Sequence, residues 1–260
     1  MAKNRRRNNK RLDATAAART TVIPTHVPKR WVKFVVAIFL MPLAWVLTET
    51  FFTMFAHTTV EDQFWRTEEF YFFALGCVLW IIAFVGLPRP MWIYVFGHEL
   101  THAMVVWLIG GEVSRFEVSA KGGHVITNRV NTWVALAPYF VPIYSILSIV
   151  LWGWVSLIYD LSSFREALFA LIGAGWAFHL TFTIIMIPKG QTDLEYGGHF
   201  FSLMVIYIMN LCVMTVLVII ASPKVTWMGF GRDFFHNTVD FCVMAMSLLR
   251  HIPLHLPGGA

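Results

Sequence analysis

The chain has 260 residues, a formal charge of +5, 57% hydrophobic side chains and only 13% charged ones. Soluble domains carry about a quarter charged residues, so this composition excludes a single water-soluble core and calls for a bilayer. Its three cysteines, Cys77, Cys212 and Cys242, lie in apolar runs without CxxC spacing; that pattern excludes a disulfide framework and leaves packed thiols.

Ten of the 20 basic residues fall between Lys3 and Lys33, where Asp13 is the one acid. The stretch has neither an apolar core nor a cleavage pattern, so it is not a secretory signal, and 1–31 reads as a disordered tail. Beside a membrane span its charge serves as a topology signal and an anionic-lipid contact; no nucleic acid partner is expected.

Six apolar segments follow, near 32–55, 69–87, 91–110, 131–158, 164–187 and 199–221. Each approaches the ~20 residues that cross a bilayer as a helix, the form that pairs every backbone amide in lipid. The expected fold is an all-α polytopic membrane protein with about six transmembrane helices and one short membrane-associated β-hairpin. Residues 32–222 form its embedded domain and 223–260 a C-terminal tail. Pro42 and Glu49 interrupt the first segment, which predicts a kink or an interfacial position. "GLPRP" at 86–90 leaves almost no loop between the second and third segments, which predicts a tight helical hairpin.

The stretch 110–130 alternates differently, with Val113, Phe116 and Val118, a Lys-Gly-Gly turn, then Val125 and Ile126. It reads as a β-hairpin. Beyond 222, "TVDFCVMAMSLLR" at 238–250 predicts a helix lying on the membrane surface or packed on the bundle.

"FGHELTHA" at 96–103 sets three ionisable side chains inside the third apolar segment. His98 and His102 are four apart and share a helix face, and Glu99 flanks that face. Two imidazoles that bind zinc and a glutamate that takes a proton from the attacking water make up the zincin arrangement. A lone histidine in an apolar helix is more often a satisfied core residue. Three ionisable groups in five residues would cost several kcal/mol if left unpaired at bilayer depth.

Catalytic zinc needs a third protein ligand and an open position. The metzincin position for a third histidine holds Leu108, which removes that variant. Glu117 and His124 in the hairpin, His179 in the fifth segment, and Asp193, Glu195 and His199 in "IPKGQTDLEYGGHFFS" (187–202) stay open as donors. The last stretch breaks the chain between two apolar helices, and such breaks are tolerated where they line a cavity. His179 shares a helix face with Trp176 and Thr183, suited to orienting a ligand, stabilising an oxyanion, or bonding a neighbouring helix. Ser202 and Asn210 share a face of the sixth segment, where inter-helix hydrogen bonds explain them most simply.

"GHELTHA", the Gly122–Gly123 pair of the hairpin, "LAPYFVP" at 136–142, and Asp193 between Pro188 and a later Gly pair resemble the site-2 protease family of intramembrane zinc metallopeptidases. The resemblance covers about 90–222. It implies Zn²⁺ held by His98, His102 and Asp193, with Glu99 as general base and a membrane-spanning protein as substrate. Leu194 follows Asp193 where the family has Gly, Ile185 stands where it has a substrate-holding Asn, and no PDZ-like domain is present. The alternative is a zinc-binding membrane protein without peptidase activity, serving structure, transport or client-helix binding. Either way a multi-pass protein is expected, in the cytoplasmic membrane of a bacterium.

Two expectations about orientation conflict. The basic tail predicts a cytosolic N-terminus, so six spans would bring the C-terminus to the same face and put the hairpin outside. The resemblance implies a cytosolic hairpin. A first segment that does not fully cross would reconcile them.

Overall fold

The structure is a computed structural model that describes residues 30–60, 63–120, 122–222 and 224–251. Most of the basic tail expected at 1–31 lies outside these. Among the described residues, nine α-helices and one two-stranded sheet follow in chain order: α1 (Arg30–Val60), α2 (Glu68–Gly86), α3 (Met91–Leu108), β1 (Val113–Ser119), β2 (Gly122–Thr127), α4 (Thr132–Leu136), α5 (Ile143–Ser156), α6 (Arg165–Met186), α7 (Thr192–Gly197), α8 (His199–Ala221) and α9 (Trp227–His251).

Four of these helices, α1, α2, α6 and α8, are long and apolar enough to cross a membrane. A fifth crossing results if the stretch Thr132–Tyr139 and α5, bent by 83°, count as one span. The fourth segment is therefore not one straight helix. Pro138 and Pro142 supply the physical reason, since each removes a backbone donor and clashes with the preceding turn. The third segment, α3, has the length, but His98, Glu99 and His102 make it less apolar than the four. The first segment is continuous. Pro42 lies inside one continuous 31-residue helix; a single lost backbone bond does not end a helix that is packed along its length.

Helices α1 and α8 run parallel. Phe34 meets Phe200 near their starts, and Phe51 and Met54 pack with Val218 and Ile219 near their ends. Helices α2 and α6 pair through glycine. A Cβ on Gly76 would stand 1.9 Å from the Ala170 carbonyl oxygen, and one on Gly173 2.0 Å from that of Phe73. Only hydrogen at these two positions lets the backbones touch. Further along, Trp80 Nε1 donates to Thr181 Oγ1 at 3.0 Å and Phe84 meets Phe182 edge-on, so this pair is also parallel.

Short connections join α1 to α2, and α6 to α8 through α7. The starts of α1 and α8 and the ends of α2 and α6 consequently share one end of the bundle, and Asp193 lies there. Helix α5 runs back along α6, with Ser145 Oγ donating to Ile172 O at 2.9 Å. Between them Asp160 accepts from Ser162 N, a bond that holds its carboxyl below the ordinary carboxylate value. Helix α9 joins at the far end of α1, where Asn237 Nδ2 donates to Thr50 Oγ1 at 2.9 Å. It starts eleven residues before the expected 238 (238 − 227).

The β-hairpin forms as the alternation predicts, in antiparallel register with Phe116 opposite Val125 and Glu117 opposite His124. Arg129 Nη1 donates to Ile109 O at 2.8 Å and Asn128 Oδ1 accepts from Glu112 N at 2.8 Å. These bonds tie the base of the hairpin to the end of α3, so the strands fold back along that helix. The packing predicts that Gly173→Ala, which drives a methyl group into the Phe73 carbonyl, destabilises the protein by about 1–3 kcal/mol. Thermal unfolding of the purified variant in detergent checks this.

Candidate metal centre

Helix α3 presents His98 and His102 one turn apart, and α7 brings Asp193 to them across the bundle. His98 Nε2 lies 3.2 Å from His102 Nε2 and 3.3 Å from Asp193 Oδ2, and His102 Nε2 lies 3.4 Å from the same oxygen. Ligand atoms ~2.0–2.1 Å from one tetrahedral zinc stand roughly 3.3–3.4 Å apart, because a tetrahedron's edge is about 1.63 times its centre-to-vertex distance. The three atoms form one nearly equilateral face of that size, and among the described residues they are the one group of His, Cys, Asp or Glu able to hold a metal. The side chains of His98, His102 and Asp193 are 8%, 11% and 24% exposed.

The surrounding bonds orient the donors. His102 Nδ1 lies 2.7 Å from the Val134 carbonyl. A carbonyl only accepts, so Nδ1 carries the proton and Nε2 turns its lone pair to the centre. Tyr94 OH lies 3.3 Å from His98 Nδ1, and Tyr139 OH donates to Asp193 Oδ2 at 3.1 Å. The His102 lone pair therefore meets the carboxylate, and in the His98 tautomer whose Nδ1 donates to Tyr94 OH a cation satisfies all three atoms together. On their chemistry and spacing the residues fit a metal ion. Nothing in the donor set selects zinc over another borderline divalent metal.

Helix α7 is too short to hold itself. Leu194 is fully buried in a cluster with Ala135, Leu136, Tyr139 and Ile206, and its carbonyl accepts from Ser202 Oγ at 3.0 Å. The residue that departs from the family pattern is thus the anchor that seats Asp193. Gly198 has φ +83, a left-handed conformation that lets the chain turn from α7 straight into α8.

Glu99 is buried on the flank of the centre. It lines, with His98, His102 and Asp193, a cavity of about 450 Å³ whose opposite wall is β2. A Cβ on Gly123 would come within 2.7 Å of Glu99 Cγ and 2.9 Å of Val95 Cγ1. The bare backbone of β2 accordingly lies flat on the glutamate.

None of the remaining candidates joins the three-atom face, although His124 lines the same cavity. Glu117 pairs with His124 and Arg115 within the hairpin. Glu195, two residues from Asp193, is exposed, as is His199. Asn210 Nδ2 donates to Tyr139 O at 2.8 Å and Ile206 O at 2.9 Å, an inter-helix role like that of Ser202. His179 is buried with Trp176 and Thr183 but does not line the Glu99 cavity. It borders a separate space of about 20 Å³ beside His98 and Tyr94, enough for one water. Its Nε2 has no protein partner. This position suits a neighbour of His98 better than an oxyanion donor beside Glu99.

Sequence reasoning missed Tyr94, Tyr139 and the Val134 carbonyl. Tyr94 alone carried a local signal, lying four residues before His98 on the same helix face. Comparison with family models, curated proteins and solved structures finds no match. The arrangement predicts that Asp193→Ala lowers bound metal in the purified protein at least tenfold, whereas Glu195→Ala leaves it at the wild-type level; elemental analysis of the two variants separates them.

Proposed function

We propose that the protein is an intramembrane zinc metallopeptidase of the site-2 protease type, cutting protein substrates within or near their transmembrane segments. The observation that carries this reading is Glu99 beside the three-ligand face, within the cavity walled by β2. A purely structural metal site has no need of a carboxylate there.

Zinc held by His98, His102 and Asp193 would supply Lewis acidity and lower the pKa of a water in the cavity. Glu99 takes one proton from the attacking water as its oxygen joins the scissile carbonyl carbon. It then gives that proton to the amine nitrogen as the C–N bond breaks; the second water proton stays on the new carboxyl group and is lost to solvent, so the products are a carboxylate, an amine and a proton. Tyr139 and Val134 hold Asp193 and His102 in register throughout. A transmembrane helix hides its carbonyls in its own hydrogen bonds, so the substrate must unwind locally. The edge of the hairpin offers an extended segment a strand to pair with.

The connectivity also bears on orientation. Helix α3 starts at the end of the bundle that holds Asp193, and α6 starts at the other, so 91–164 carries the chain across once. With α1, α2, α6 and α8 this makes five crossings, an odd number that leaves the start of α1 and the end of α8 on opposite faces. The basic tail assigns the face at the start of α1 to the cytosol. Asp193 and the cavity then open toward the cytosol, as the family resemblance implies, in the cytoplasmic membrane of a bacterium. On this reading α3 and the bent fourth segment together make one crossing, which reconciles the basic tail with a cytosolic hairpin.

Glu99→Gln tests the chemistry. The variant should retain zinc and lose cleavage of a co-expressed single-span substrate by at least ~10²-fold, the lower range for a general base; cleavage at the wild-type rate would refute the mechanism. For the orientation, an impermeant reagent applied to intact cells should label a C-terminal tag and spare an N-terminal one. The reverse pattern would put the cavity on the outer face.

A further inference from the structure

Apart from Glu99, Lys33 is the one charged side chain that is buried among the described residues, at 5% exposed. It lies in the first turn of α1, and no carboxylate is paired with it among those residues. Its Nζ donates to the Tyr196 carbonyl at 3.0 Å and stands 4.2 Å above the Tyr196 ring and 5.8 Å from that of Phe201. An ammonium withdrawn from water needs such compensation. Both of its nearer contacts are made to one residue, and that residue sits in α7, one turn after Asp193.

Tyr196 is itself a cross-link. Its hydroxyl donates to the Val130 carbonyl at 3.3 Å, at the foot of the hairpin and just ahead of α4, which supplies the Val134 carbonyl to His102. The Tyr196 carbonyl falls in the last turn of α7, where unpaired carbonyls collect and a cation is favoured. Leu194 fixes α7 on its apolar side, and Lys33 fixes the end of the same short helix from α1.

We infer that Lys33 is a positioning residue for Asp193: by clamping Tyr196 from above and at its carbonyl, it keeps α7 in the rotation that points the carboxylate at His98 and His102. The inference rests on the metal-centre reading. It also explains a lysine within an apolar helix 160 residues before its target (193 − 33).

The test is zinc affinity of the full-length protein by chelator competition, with the visible spectrum of the Co²⁺-substituted form as a measure of tetrahedral geometry. Lys33→Met keeps most of the stem and removes the charge; it should weaken zinc binding about tenfold, the lower range for a partner outside the ligand set, and reduce Co²⁺ absorption per bound ion. Lys33→Arg retains a cation above the ring and should recover most of the loss. Asn237→Leu, which breaks the α1–α9 bond far from the centre, should lower the unfolding temperature without moving either metal readout. Should Lys33→Met fail to accumulate, Tyr196→Leu removes the ring beneath Nζ and should weaken zinc about threefold by the same logic. Wild-type affinity in Lys33→Met, or in Tyr196→Leu where that stands in, overturns this inference alone. An equal metal loss in Asn237→Leu also overturns it, in favour of general packing. A wild type that holds no metal overturns the metal centre and this inference together.

Discussion

Three lone-pair atoms, His98 Nε2, His102 Nε2 and Asp193 Oδ2, face one another at 3.2–3.4 Å. Electrostatics forbids such a meeting of acceptors in a buried place unless a cation or a proton stands among them. Much of the surrounding architecture serves this constraint. The α3 face supplies two donors in fixed register. Val134 and Tyr139, on either side of the Pro138 break, hold a donor each. Leu194 plants α7 in apolar surroundings so that its neighbour Asp193 can lean into polar ones.

The helices around this centre are organised by a different force. Two glycines bring α2 and α6 into backbone contact, and parallel packing of α1 with α8 closes the opposite side. These pairs make a frame whose interruptions supply partners of the candidate metal centre: the bend between α4 and α5, and the break between α6 and α8. Backbone that leaves its own helix must find partners elsewhere. Here it finds them in Asn210 to Tyr139 O, Ser202 to Leu194 O, Lys33 to Tyr196 O and His102 to Val134 O. Long-range polar bonds gather where regular helix stops.

Legibility in the sequence follows the range of the interaction. The His98–His102 pair, the hairpin, and the capacity of four helices to span a membrane are local or periodic properties, and residue spacing was enough; Gly122 and Gly123, expected in the turn, are instead paired within β2. Asp193 and Glu195 could not be separated by spacing, since both fall in one irregular stretch; in the fold Asp193 meets the α3 histidines while Glu195 stays exposed. Pro42 lies within a continuous helix, whereas the stretch holding Pro138 and Pro142 is bent by 83°. The difference lies in what packs around each, which no local window contains. Tyr139 and Lys33 acquire their parts only from contacts 54 and 163 residues distant.

The anchoring of Asp193 by Leu194 has a consequence in time as well as in space. His98 and His102 are synthesised 91 residues before the third donor (193 − 102), and that donor is aimed only after α4 and α8 have closed over Leu194. Over that interval the chain therefore carries a two-histidine helix face and no complete ligand set. Competence is conferred at the end, by the seating of a single leucine.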